Sequence, residues 1–371
     1  MDNATAYRLL DIGKAFNLNS PFFSYEEIKM GNVNHSYKVN YIQDDGTGMA
    51  RIKSYFVQNV NTYAFRYPVE LMENIEKVTE HIRRKQPDRV NLHFHHTADH
   101  KNYLQAEDGF WRVLNYIPSV TFNSCQDIET VRATGQAFGE FQTALSDFDA
   151  DSLFYTIPDF HNTVKRYEAL ENDVKADPCG RVQKVQKELD YLFSVRDMAC
   201  RLTRLFEEGK LPLRVTHNDT KINNVLFDAD THKPLVVIDL DTVMPGLVGH
   251  DFGDAVRYAA NFSEEDEVDT SKTGLNLNVF WAFAEGFLKE TAAQLTDAEI
   301  DTLALSCFSI TCELAVRFIS DYIIGDKYFK TRSEEHNLER ARCQIVLAQD
   351  MLKKMDAMDA IVKASARKYR G

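Results

Sequence analysis

The sequence predicts an α+β fold in two lobes, a small β-rich one followed by a larger, mainly helical one. Three observations predict it. Near residue 117 the apolar pattern changes from short alternating runs to long stretches with helical spacing. A chain of 371 residues is long enough to bury two cores. No internal repeat, coiled coil or low-complexity linker suggests another architecture. The lobes are expected over residues 1–117 and 118–371.

The small lobe opens with a helix over residues 4–16. β-type runs follow at Ser36–Val39, Ile52–Val57 and Trp111–Leu114, with Gly46-Thr47-Gly48 as the turn between the first two. One amphipathic helix interrupts them, with Val69, Met72, Ile75, Glu76, Val78 and Ile82 spaced for a single face. Beyond Pro118 the spacing predicts helices over roughly 126–147, 160–172, 181–208, 274–293, 297–323 and 335–366. In the last, Leu338, Ala341, Ile345, Ala348, Leu352 and Met355 form the apolar face.

Composition narrows the class. A formal charge of −13 without a basic block excludes a nucleic-acid footprint. No apolar run approaches the length of a membrane span, and Met1-Asp2-Asn3-Ala4-Thr5 lacks the basic region and apolar core of a signal peptide. The six cysteines, Cys125, Cys179, Cys200, Cys307, Cys312 and Cys343, match no zinc spacing. A cytoplasmic chain with reduced thiols is expected, and nothing implies a protein partner.

The chemistry is concentrated in Thr216-His217-Asn218-Asp219-Thr220-Lys221-Ile222-Asn223-Asn224. Its H-x-D-x-x-x-x-N spacing is the one by which kinases put a base and a metal-binding amide on one short loop. Strand-like Leu213-Arg214-Val215 enters the loop, Val225-Leu226-Phe227 leaves it, and Leu235-Val236-Val237-Ile238 then delivers Asp239. Phosphoryl transfer needs one carboxylate at the attacking hydroxyl, and an amide oxygen and a second carboxylate on magnesium. Asp219, Asn224 and Asp239 supply the three, so a kinase using ATP and Mg2+ in a bilobal protein-kinase-like fold is expected. His217 reads as structural support under the loop. Lys221 is either a phosphate contact or a solvated loop lysine. Asp241 is either a further metal ligand or a turn residue.

The loop lacks the protein-kinase arginine, and Ile238-Asp239 stands in place of D-F-G. In this the chain resembles the aminoglycoside/choline kinase-like phosphotransferases. More narrowly, Arg214–Lys221, Ile238–Gly246, Asp251-Phe252-Gly253-Asp254, Arg317–Tyr322 and Gly325–Phe329 resemble the N-acetylhexosamine 1-kinases. The likeness runs from Gly31 to the last helix. It implies ATP-dependent phosphorylation of the anomeric C1 hydroxyl of GlcNAc or GalNAc. It also implies sugar contacts at Arg317, Tyr328, Asn32, Asn34 and Tyr258. Relatives carry histidine where this chain has Asn32. Asp251, though it spells D-F-G with its neighbours, takes the place of an aspartate that braces the catalytic loop.

Nucleotide binding is expected at Gly31, in the hairpin Met30–Ser36, and along the connector Asn115, Tyr116 and Ile117. The position of the usual β3 lysine falls at Gln58, which leaves Glu76 without that partner. Glu313, Arg317 and Asp321 share one helix face at i, i+4 and i+8. Buried charges there are either a structural ion-pair ladder or part of an acceptor site. The histidine-rich His93–His100 reads as an exposed hairpin rather than a metal site. Two other functions compete with the sugar kinase: a phosphotransferase for an aminoglycoside or other hydroxyl compound, and a kinase-fold binding protein. A cluster of carboxylates at the acceptor site in place of Arg317 would favour the aminoglycoside.

Overall fold

Alternation along residues 35–44, 50–60 and 109–115 decides the sheet, since large apolar side chains at every second position must share one face. The computed structural model describes residues 3–29, 33–44, 49–124 and 127–370. Gly31, Asn32, Cys125 and the Gly46-Thr47-Gly48 turn lie outside them. Two compact units emerge: Met1–Ser119 with Leu153–Ile157 and Ile238–Val243, and Val120–Ser152 with Pro158–Val237 and Met244–Gly371. The mixed fold has an antiparallel sheet in its N-terminal region and helices in its C-terminal region. A single cut at residue 117 would have placed the two short segments of the first unit in the second.

The first unit contains α1 (Asn3–Ala15), β1 (Phe22–Ile28), β2 (His35–Asp44), β3 (Ala50–Val60), α2 (Pro68–Lys85), β4 (Leu104–Ala106) and β5 (Gly109–Asn115). Its sheet runs in the order β1-β2-β3-β5-β4, antiparallel throughout. Val39, Tyr41, Tyr55, Val57, Trp111 and Val113 form one apolar layer with Leu9 and Ile12 of α1 and Phe16 just after it. Each such side chain contributes about 1.5–3 kcal/mol when fully buried. Elsewhere in the sheet Ser36, Gln58 and Arg112 stand in register across β2, β3 and β5. Asn74 of α2 explains why the short segments belong here. Its amide donates to the carbonyls of Phe154 and Val243, and its oxygen accepts the Phe154 N–H.

The second unit comprises α3 (Ile128–Ala144), α4 (Thr163–Ala176), α5 (Gln186–Ser194), α6 (Arg196–Ala199), α7 (Arg201–Glu207), β6 (Arg214–Thr216), β7 (Val225–Phe227), β8 (Pro234–Val237), β9 (Met244–Gly246), α8 (Val248–Ala259), α9 (Leu277–Thr291), α10 (Asp297–Ile323), α11 (His336–Lys353) and α12 (Met355–Arg370). α10 is its axis. Phe308, Cys312, Val316, Ile319 and Tyr322 pack on Tyr167 and Leu170 of α4, Leu189 and Leu192 of α5, and Leu338, Ala341 and Ile345 of α11. A capping box of Thr296 and Glu299 starts the helix. Glu299 also holds Arg214, which ties β6 to that end. α3 and α9 approach at backbone distance: a Cβ on Gly135 would lie 2.3 Å from the Phe283 carbonyl oxygen, so only glycine fits.

Three expectations change. The helix expected over 181–208 is α5, α6 and α7, with breaks at Val195 and Cys200 where ψ rises from helical values to 3° and 0°. The apolar spacing runs on through both breaks, so the pattern does not mark them. The helix expected over 335–366 divides at Lys354 into α11, packed on α10, and α12, packed on α9 and α10. Met351 is therefore buried, whereas Leu352 is 40% exposed. Finally, α10 is long and apolar enough to cross a membrane by length and composition, but 78% of that stretch is buried within the protein.

Candidate active site

β6 pairs with β9, and β7 with β8, so the residues between β6 and β7 form a loop anchored at both ends. Asn218 takes a left-handed backbone (φ 64°), a conformation asparagine tolerates better than most residues. Asp251, in the first turn of α8, accepts the N–H groups of His217 at 2.9 Å and Asn218 at 2.7 Å. Gln142 of α3 donates to the same carboxylate at 2.7 Å and to the Val215 carbonyl at 3.1 Å. Burial pushes the Asp251 carboxyl up, against the pull of His217 and these donors. Asp254, one turn on, accepts the Thr220 N–H at 3.1 Å and pairs with Arg257 at 2.9 Å. Burial works against its charge, but Arg257 and Lys221 outweigh burial and hold it below the usual range. Gln142, Asp254 and Arg257 were not read as site residues; their signal is the short spacing Asp251–Asp254–Arg257 on one helix.

The loop gathers its own functional groups. Lys221 Nζ lies 2.8 Å from Asp219 Oδ1, and that carboxylate raises the lysine, keeping it an ammonium. Asn224 Nδ2 donates to the Asp219 carbonyl at 2.8 Å. His217 is buried, with its ring edge-on to Phe138 and Phe141, and its Nδ1 accepts the Asp219 N–H at 3.3 Å. A bond-accepting Nδ1 carries no proton.

A second cluster in this unit surrounds Arg317. Its guanidinium stands over the rings of Phe160, Tyr328 and Phe329 at 5.4–5.7 Å. It makes no hydrogen bond or ion pair among the described residues. The ion-pair ladder is therefore not formed. Glu313 is bound to His161 at 2.9 Å and Thr163 at 2.8 Å. Asp321 accepts the N–H groups of Lys327, Tyr328 and Phe329 at 2.8–2.9 Å and the Asn337 amide at 2.9 Å. Arg166, on α4, has a buried Nε with no partner, and burial and Arg317 both lower its guanidinium. Tyr258 is committed elsewhere, donating to the Asn123 carbonyl at 3.1 Å.

Asp239, Asp241, Asn34 and the connector belong to the first unit. Asp239 has left-handed backbone (φ 60°, ψ 56°) and leads into a short 3₁₀ turn, Leu240–Thr242. Asp241 is 2% exposed, with Oδ1 at 2.5 Å from Arg112 and Oδ2 accepting the Asn34 amide at 2.7 Å. Arg112 also donates to Gln58, which donates to Ser36. The cation beside Gln58 is thus an arginine on the neighbouring strand, and it grips Asp241. The Asn34 oxygen accepts the Asn61 N–H at 2.9 Å, so both ends of that amide are used. Glu76, expected to stand alone, pairs with His96 at 2.7 Å. His93 and His95 meet ring edge to ring face at 4.9 Å, and burial holds His95 down to about 4. In the connector, Asn115 and Tyr116 donate their N–H groups to His93 and Ser54, leaving the Ile117 N–H unused among the described residues.

Magnesium prefers hard oxygen ligands; the amide oxygen of Asn224, in the second unit, and the carboxylate of Asp239, in the first, are each of that kind. Among the described residues no group of three or more His, Cys, Asp or Glu side chains is placed to hold a metal.

The sequence profile of the phosphotransferase enzyme family (APH) matches residues 26–277. Three solved structures share the fold. Spectinomycin phosphotransferase APH(9)-Ia, in complex with ADP and spectinomycin, is 12% identical with TM-score 0.53, over 97% of this chain and 98% of that one. A microcompartment-associated aminopropanol kinase is 15% identical with TM-score 0.59, over 93% and 98%. The choline kinase of Cryptosporidium parvum Iowa II is 12% identical with TM-score 0.56, over 97% and 99%. At these identities the likeness is one of fold.

Proposed function

Since this chain belongs to the phosphotransferase enzyme family, we propose that it phosphorylates the anomeric C1 hydroxyl of an N-acetylhexosamine with ATP. The coarser statement, a small-molecule phosphotransferase acting on a hydroxyl, follows from the family itself. ATP use is in keeping with the ADP in the spectinomycin phosphotransferase complex.

In this reading Asp219 accepts the C1 hydroxyl proton as that oxygen attacks the γ-phosphorus. The new O1–P bond forms in line as the bond to the ADP oxygen breaks. Base assistance contributes about 10²–10⁴, and positioning much of the rest. Lys221, paired with Asp219, would also meet phosphate oxygens. Asn224 and Asp239 would hold magnesium, which neutralises phosphate charge when bound. The Ile117 N–H is the connector's free donor for the adenine edge. His217 and Asp251 hold the loop and take no proton from substrate.

One observation carries the choice of acceptor: Arg317, with no hydrogen bond or ion pair among the described residues, stands beside the rings of Tyr328, Phe329 and Phe160. Apolar sugar faces stack on rings, and sugar hydroxyls accept from a guanidinium, whose five donors are otherwise idle. The nearby carboxylates of Glu313 and Asp321 are consumed by internal donors, so nothing there favours a polycation. Sugar contacts at Asn34 and Tyr258 would require those side chains to release their present partners.

The test is an ADP-release assay with Mg-ATP against GlcNAc, GalNAc, their 1-O-methyl glycosides and kanamycin. Turnover of the free sugars with none on the blocked glycosides supports C1 phosphorylation. Turnover of the glycosides moves the chemistry to another hydroxyl, and activity on kanamycin alone overturns the sugar reading.

A further inference from the structure

His161 lies just before α4 and touches two acceptors. Its Nδ1 is 2.9 Å from Glu313 Oε1, and its Nε2 is 3.3 Å from the Asn218 carbonyl oxygen. A neutral imidazole has a single N–H, so both bonds form together only in the doubly protonated ring. The surroundings suit that charge. The Glu313 side chain is 2% exposed and that of His161 8%, and a buried carboxylate needs a cation. Burial opposes the Glu313 charge, yet His161, Arg317 and Arg166 outweigh it and hold the carboxyl at about 2.

The carbonyl that His161 grips belongs to the peptide joining Asn218 to Asp219. The N–H of that same peptide donates to His217 Nδ1 at 3.3 Å. The plane immediately before Asp219 is thus held at both edges, by one histidine donating and another accepting. Asn218 is also the residue with positive φ, a conformation that needs support from its surroundings. We propose that His161, as an imidazolium anchored by Glu313, is a positioning residue that aims the Asp219 carboxylate. The proposal rests on the reading of Asp219 as the base.

The groups facing His161 are few and named. From α10 come Glu313 and, one turn on, Arg317; from α4, Arg166, with Thr163 as an uncharged donor to Glu313. From α8, His250 lies ring to ring at 4.9 Å, held down to about 3 by burial and by His161, and hence neutral. Asp254 is lowered in part by His161 and is answered by Arg257 and Lys221. On its own segment, Asp159 is paired with Lys165 at 3.5 Å. With a proton on one nitrogen only, the ring would keep a donor for Glu313 or for Asn218, not both. Glu313, the charged acceptor, retains it, and a bare Nε2 then faces a carbonyl oxygen. The peptide turns away and Asp219 with it.

The expected result of losing either of the two bonds is a lower kcat with KM for ATP little changed. His161→Gln, whose single amide nitrogen cannot reach both acceptors as the two ring nitrogens do, lowers kcat by about tenfold or more, since small misplacement of a reacting group costs up to about 10². Glu313→Gln removes the anchoring charge and lowers kcat in the same way. Nitrogen NMR of the full chain with labelled histidine reads the ring directly, and does so even if no acceptor is found. Both His161 nitrogens protonated at neutral pH, with the Asp219 amide resonance displaced in His161→Gln, supports the proposal. A neutral His161 overturns it. So does a His161→Gln protein with the wild-type Asp219 resonance and the wild-type kcat.

Discussion

Asp321 Oδ1 accepts the Tyr328 N–H at 2.8 Å, while its two oxygens together also take the N–H groups of Lys327 and Phe329. A carboxylate one turn beyond Arg317 therefore shapes the backbone that carries the tyrosine, and the ring stands beside the guanidinium as a result. A helix residue and a loop residue are thus brought together by one aspartate.

Replacing that aspartate should separate binding from chemistry. In Asp321→Asn an amide N–H2 meets backbone donors, which costs about 1–3 kcal/mol. We expect KM for the sugar to rise about tenfold, with KM for ATP unchanged and a lowered melting temperature. Steady-state kinetics with each substrate varied in turn will show it; equal losses for both substrates would refute the assignment.

Asp219→Asn should bind ATP and sugar while turnover falls by at least ~10³, as expected for loss of a base in a preorganised site. Calorimetric titration and single-turnover kinetics measure the two separately. Near-normal turnover would remove Asp219 from the mechanism.

Arg112 and Asp241 form an ion pair whose side chains are only 4% and 3% exposed. Breaking it from one side, by Arg112→Met or Asp241→Asn, should cost about 3–5 kcal/mol, because the survivor is left buried and unpaired. Arg112→Met/Asp241→Asn together should cost less than the sum of the two. Urea unfolding of the four proteins gives the coupling directly.

Glu313 makes stability depend on acid. Its folded carboxyl sits at about 2, below its ordinary 4.5, mainly because His161 and the two arginines outweigh burial. A depressed carboxylate contributes stability that is full above about pH 4.5 and lost as pH falls through about 2. The contribution is at most about 3 kcal/mol by linkage. Glu313→Gln should flatten the melting-temperature profile between those limits. An unchanged profile would show that Glu313 is not ionised in the folded protein.

Much of this protein can be read along the chain, because much of it is set by spacing. Asp219, Lys221 and Asn224 lie within six residues, so a rigid loop brings them together once its ends pair. Asp251 could be assigned by resemblance, and Arg317 and Asp321 stood out as charges on an apolar helix. The tertiary structure alone decided the rest. Arg112 and Asp241 are 129 residues apart, and His161 and Glu313 are 152 apart. A single charged residue that finds a buried partner so far away looks, in sequence, like one that faces water. The breaks at Val195, Cys200 and Lys354 are likewise invisible to apolar period, because they are decided by which neighbour each short helix must cover. Local chemistry is written in spacing; the partners of buried charges are decided only when the chain closes on itself.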